Sequence, residues 1–153
     1  MPKTCSSSYG VSNFLNHEKE YGEEITQKSF KELESIIKWF NIHGFHTIII
    51  GGWATYYYVK GIGSRDIDLI LPKEALPILK SYCENHEFTR NKTPKTRILF
   101  SKKIGSQSID IDVFTFDDKN KLAKNLKIEI PWSLSKNHCN DWKIGQSTAS
   151  VPC

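Results

Sequence analysis

The feature that most constrains this chain is a pair of short apolar runs set a helix's length apart, the first ending in glycine and the second opening in acid. Thr47-Ile48-Ile49-Ile50 does not alternate with polar residues, which is the pattern of a strand covered on both faces. Gly51-Gly52 stops it abruptly. After a gap of thirteen residues, Asp66-Ile67-Asp68-Leu69-Ile70-Leu71 alternates. Asp66, Asp68 and Ile70 then share one side of a strand, and Ile67, Leu69 and Leu71 the other. A third run, Ile109-Asp110-Ile111-Asp112-Val113, again brings carboxylates to one face. Strands separated by helix-length segments predict an α/β (α+β) fold, a small mixed sheet flanked by helices.

The remaining elements fit around these strands. Residues 1 to 24 are polar, rich in Ser and Glu and without sustained period, which predicts a loose N-terminal arm ahead of one domain over 25–153. Phe30, Leu33, Ile36, Ile37 and Phe40 recur at helical spacing. Ser29 with Glu32 fits a capping box at the start of that helix, and Asn41 to Gly44 supplies its stop. Trp53 to Lys60 reads as a short helix whose aromatics are expected mainly in the core, and Gly61 to Ser64 as a turn. Pro72 to His86 reads as another helix, with Leu76, Leu79 and Cys83 inward. Thr96–Ser101 and Ser108–Phe116 read as strands of a hairpin joined by Lys102 to Gln107. A short helix over Asp118–Leu126 and a strand over Lys127–Ile130 follow.

Composition narrows the class. In 153 residues, 39% apolar and 25% charged, a single core can form without disulfide or metal staples. The net charge of +4 permits phosphate contact without singling out a nucleic-acid binder. Cys5, Cys83, Cys139 and Cys153 form no C-x-x-C pair and read as reduced thiols of a cytoplasmic protein. No run approaches the ~18 apolar residues of a membrane span, and the first residues lack the apolar core of a signal peptide. His17, His43, His46, His86 and His138 sit near element ends and receive no chemistry. Lys92, Lys95, Arg97, Lys102 and Lys103 flank the acidic strands; bases on such a hairpin are more often solvated than bound to phosphate.

The spacing itself points to chemistry. Residues i and i+2 of a strand project to the same side about 7 Å apart, so Asp66 and Asp68 can address one cation. Carboxylates on one face repel, and a divalent ion offsets that repulsion; Mg²⁺ takes a few carboxylates together with substrate phosphate oxygens. Backbone N–H groups at a Gly-Gly turn entering a helix make a seat for an anionic phosphate, where a Cβ would block approach.

Ile50-Gly51-Gly52, the gap, Asp66-Ile67-Asp68-Leu69, and then Asp110 or Asp112 together resemble the signature of the DNA polymerase beta-type nucleotidyltransferase superfamily. Gly51-Gly52-Trp53-Ala54 and Ser64-Arg65-Asp66-Ile67-Asp68-Leu69 look like the minimal nucleotidyltransferases of prokaryotes. Those include the toxin of abortive-infection type IV systems and the antitoxins paired with small helical ribonucleases. The resemblance covers Thr47 to Phe116, with a weaker echo from Ile130-Pro131-Trp132 to Val151-Pro152.

That resemblance implies roles. Gly51 and Gly52, with Ser64 and Arg65 beside them, would hold the nucleoside triphosphate. Asp66 and Asp68 would bind Mg²⁺ (two ions, with Mn²⁺ as a substitute). Asp110 or Asp112, which project to the same face, would complete the metal site and help deprotonate the acceptor. The implied reaction moves a nucleoside monophosphate from the triphosphate to a hydroxyl of RNA, protein or a small molecule. Proteins of this kind carry an Arg shortly before the first Asp; Ile62 stands there, with Lys60 and Arg65 the nearest bases. They also continue past the Val-Pro segment into further helices, so a domain ending at Cys153 is expected to be either a truncated or a minimal form. The rival expectation is an inactive nucleotidyltransferase-like binding module with a toxin–antitoxin partner or a second copy of itself. A glycosyltransferase, which also uses Asp-x-Asp, gives Gly51-Gly52 no role.

Overall fold

The computed structural model describes residues 23–60, 63–91, 98–115 and 139–152. Along the chain these form α1 (Glu23–Ile42), β1 (Ile48–Ile50), α2 (Gly51–Val59), β2 (Ile67–Leu71), a 3-10 turn (Lys73–Ala75), α3 (Leu76–Asn85), β3 (Thr89–Arg90), β4 (Ile98–Ile104), β5 (Gln107–Thr115), β6 (Cys139–Ile144) and β7 (Ser147–Pro152). The strands make one mixed sheet in the order β3-β4-β5-β2-β1-β7-β6. At its centre β2 runs parallel to β5 and antiparallel to β1, and β1 runs parallel to β7. The mixed α/β expectation holds.

Alternation along the central strands decides the layering. Ile67, Leu69 and Leu71 of β2 and Ile109, Ile111 and Val113 of β5 are at most 1% exposed. They share one core with Leu33, Ile36, Ile37 and Phe40 of α1 and with Leu79, Tyr82 and Cys83 of α3. Full burial of each such aliphatic side chain stabilises the fold by roughly 1.5–3 kcal/mol before entropy is counted. The helices thus cover one face of β2 and β5, and the acids project from the other.

Helix α1 begins at Glu23, six residues before the expected cap. Ser29 lies inside the helix, where its Oγ accepts a hydrogen bond from Trp53 Nε1 at 3.2 Å. Glu32 receives the Tyr82 hydroxyl at 3.1 Å and Lys102 Nζ at 3.3 Å. Ser and Glu three apart cap each other only where helix N–H groups are open; Ile25, 2% exposed, extends the apolar stripe upstream and closes them. The expected stop is present: Gly44 takes φ +80°, and Asn41 exchanges hydrogen bonds with the Thr148 backbone.

The expected Lys102–Gln107 loop shrinks to a two-residue turn at Gly105-Ser106, since β4 and β5 pair out to Ile104 and Gln107. A second hairpin, β6–β7, was not expected from the sequence. It turns in the same way: Lys103-Ile104-Gly105 has its counterpart in Lys143-Ile144-Gly145, and both glycines sit near φ +60°. That repeated tripeptide was the available signal. The elements expected over Asp118–Leu126 and Lys127–Ile130 lie outside the described residues, as do Lys92, Lys95, Arg97, Cys5 and Cys153. No helix among the described residues is long and apolar enough to cross a membrane.

Candidate active site

The register of β2 against β5 gathers the acids. Asp68 lies directly opposite Asp112, and the same pairing continued one step back brings Asp66 beside Asp110. Directly opposed residues share a face, so all four carboxylates singled out in the sequence stand on one side of two neighbouring strands. They are not equally open. Asp66, Asp68 and Asp110 are half-buried, whereas Asp112 is 7% exposed, so the acidic face is open only in part.

This crowding leaves a mark on Asp66. Burial first, and the Asp110 carboxylate second, push it above the ordinary carboxylate value, while Arg65 and the Asp110 backbone N–H pull the other way. Its Oδ1 is buried and accepts no hydrogen bond. Arg65 Nε approaches that oxygen to 3.5 Å, close enough for an ion pair but too long for a well-formed hydrogen bond.

The glycine corner adjoins the same acids. Gly51 opens α2 with φ +68°, and a Cβ built there would overlap Asp68 Oδ2. A Cβ on Gly52 would lie 2.7 Å from Ser64 Oγ. The residue before α2, Ile50, supplies no side-chain cap and the first turn carries no acid of its own, so the polarity of this helix start suits an anion. Ser64 holds the loop that delivers Asp66: its Oγ donates to the Asp66 carbonyl at 2.8 Å and accepts the Asp66 N–H at 3.2 Å. Gly51, Gly52, Ser64, Arg65, Asp66, Asp68, Asp110 and Asp112 therefore occupy one neighbourhood.

Other sequence candidates lie elsewhere. Lys60, a nearest base to the expected arginine position, closes the far end of α2 at φ 49° and is 9% exposed. Its Nζ lies 5.1 Å from the Tyr56 ring centre and 5.8 Å from that of Trp142, and burial pushes its ammonium below the ordinary lysine value. Lys102 is engaged by Glu32 and lies 5.3 Å from the Phe88 ring centre. It alternates onto the core side of β4 because it pairs with Ile109 rather than with an acid. Trp53 and Tyr56 are core, as expected. Burial pushes the Cys83 thiol up to about 12, so it is no nucleophile near neutral pH.

Two residues escaped the sequence reading. Ser101 of β4 lies opposite Asp110 and donates its hydroxyl to Asp110 Oδ1 at 2.6 Å. Asn91 in turn donates from Nδ2 to Ser101 Oγ at 2.8 Å. Recognising the two-residue turn at Gly105-Ser106 would have set the register and placed Ser101 there.

Among the described residues, no three or more His, Cys, Asp or Glu side chains are grouped as a metal ion would need. The donor set still suits Mg²⁺, which takes oxygen ligands and is commonly held by one or two carboxylates plus substrate phosphates. The buried Asp66 Oδ1 and the corner that a Gly51 Cβ would fill fit that arrangement.

No family model matches the chain, and no curated protein matches it. Solved structures do. The antibiotic-resistance factor ANT(2'')-Ia in solution is similar with a TM-score of 0.54 and 18% identity, over 82% of this chain and 65% of that one. A crystal structure of ANT(2'')-Ia in complex with adenylyl-2''-tobramycin gives a TM-score of 0.52 and 17% identity, over 82% of this chain and 70% of that one. This chain thus spans just under two thirds of the first protein's length, and at these identities the likeness is one of fold.

Proposed function

We propose that this chain transfers a nucleoside monophosphate from a nucleoside triphosphate to a hydroxyl group. The observation that carries the reading is Gly51 set against Asp68, a bare helix start adjoining acids held in register on β2 and β5. Gly51 and Gly52 would seat the triphosphate on the N–H groups of α2. Asp66 and Asp68 would hold Mg²⁺, or Mn²⁺ in its place, and Arg65 would meet a phosphate oxygen. Bound metal supplies charge neutralisation on the phosphate oxygens during in-line displacement of pyrophosphate. Asp110 is the better third carboxylate, because it is half-buried where Asp112 is nearly closed to solvent. Both hydroxyls that reach it, Ser101 and Ser108, address Oδ1, which leaves Oδ2 to meet the metal or the acceptor proton.

The acceptor class follows the structural neighbour, whose crystal holds an adenylylated small molecule. A hydroxyl on a polar small molecule is proposed ahead of RNA or protein. The test is incubation with each α-labelled triphosphate and Mg²⁺, offering an aminoglycoside, an RNA and the protein itself as acceptors. Wild type should label one of them, and Asp66→Ala with Asp68→Ala should lower labelling at least about a hundredfold. Equal labelling by both proteins ends the proposal.

One observation favours a second reading, a binding module without catalysis: the acids do not group around a common point. That reading expects no label on any acceptor and a partner complex indifferent to the aspartate substitutions.

A further inference from the structure

We propose that Ser101, aligned by Asn91, is a positioning residue for Asp110, so that β4 and the segment after β3 tune an acid carried by β5. The inference rests on the nucleotidyl-transfer reading above, and it concerns residues outside the Gly-Gly and Asp-x-Asp motifs.

The relay has a fixed direction. Asn91 is anchored by its own backbone N–H, which donates to the Leu99 carbonyl at 2.8 Å. Its Nδ2 can only donate, so at 2.8 Å it occupies a lone pair of Ser101 Oγ. The single Ser101 proton is then directed to Asp110 Oδ1, 2.6 Å away. Were the Asn91 amide reversed, the Ser101 hydroxyl would face two acceptors with one proton; the carboxylate's demand for a donor sets the amide as described. Pairing of Ser101 with Asp110 across β4–β5 holds the hydroxyl in place without a long flexible side chain.

The consequence is orientational. A carboxylate turns about its last side-chain torsion, and a hydrogen bond to Oδ1 selects the orientation in which Oδ2 is left for metal or acceptor. Partners of this outer kind typically change metal affinity or activity by about 10–100-fold when removed.

The experiment pairs turnover with a binding signal that does not depend on turnover. Wild type, Ser101→Ala, Ser101→Thr, Asn91→Ala and the Ser101→Ala/Asn91→Ala double variant are assayed for kcat and triphosphate KM. Mn²⁺ affinity is measured in parallel by electron paramagnetic resonance with a non-hydrolysable triphosphate present. Ser101→Ala should lose about tenfold in kcat and in Mn²⁺ affinity, with KM within about twofold. Ser101→Thr, which keeps the hydroxyl, should restore most of both. Asn91→Ala, made outside the central strands, should show the same split at smaller size, and the double variant should be no worse than Ser101→Ala alone. Wild-type kcat and Mn²⁺ affinity in Ser101→Ala, or a threonine variant as impaired as alanine, would overturn the relay alone. A wild type that neither binds Mn²⁺ nor transfers nucleotide would instead bring down the functional reading and this inference with it.

Discussion

Strands β2 and β5 present two faces that differ by one step of alternation. On the helix side stand Ile67, Leu69, Ile111 and Val113, all fully buried; on the other stand Asp66, Asp68, Asp110 and Asp112. The same backbone therefore serves stability on one side and gathers like charge on the other. The contrast teaches a division of labour: the apolar face holds the acids at fixed spacing, and Arg65, the Asp110 backbone N–H and the Ser101 hydroxyl ease what that spacing imposes on them.

The largest expected effect separates the faces by stability. Leu69→Ala empties a fully buried site in the shared core and should cost about 2–5 kcal/mol, read from urea unfolding. Asp68→Asn, next door on the other face, should leave stability nearly unchanged while removing transfer. Similar losses of stability in the two variants would break the comparison.

Next in size is Gly51→Ala, which touches both the backbone and the acid face. A Cβ at φ +68° costs about 1–3 kcal/mol and would displace the Asp68 carboxylate it overlaps. Activity should fall more than stability does, and a fully active Gly51→Ala protein would show that the corner need not be bare.

The smallest effect sharpens the electrostatic side. Asp66 is raised above the ordinary Asp value of 3.8 chiefly by burial, then by Asp110. In that case the folded state holds a proton more tightly than the unfolded chain. Stability then falls as pH rises from the unfolded value through the folded one. Asp66→Asn should therefore melt slightly higher than wild type near neutral pH in metal-free buffer. The advantage should fade as pH drops through the raised folded value and be gone below 3.8, measured by scanning calorimetry across that range. An advantage independent of pH would assign it to something other than the charge.

The acids and the glycine corner were legible because strand alternation and the bare Gly51-Gly52 are local properties of the sequence. The capping box at Ser29 and Glu32 misled because its residues found partners far along the chain, in Trp53, Tyr82 and Lys102. Ser101 and Asn91 were invisible for a related reason: their roles depend on the register of β4 against β5, which a two-residue turn sets. Neither Asp110 nor Asp112 could be preferred from spacing alone, since both face the same way. Burial separates them, and burial is set by neighbouring elements rather than by the strand itself.

The most direct test of the central claim, that the acidic face with its glycine corner receives a metal–triphosphate, is the thermal melt. Wild type and the Asp66→Asn/Asp68→Asn double variant are melted with and without Mg²⁺ plus a non-hydrolysable triphosphate. Ligand at a hundredfold excess over its Kd contributes about 2.7 kcal/mol, which in a domain of this size raises Tm by roughly 5–10 °C. The account predicts that rise in wild type and none in the double variant; an equal rise in both, or none in wild type, would contradict it.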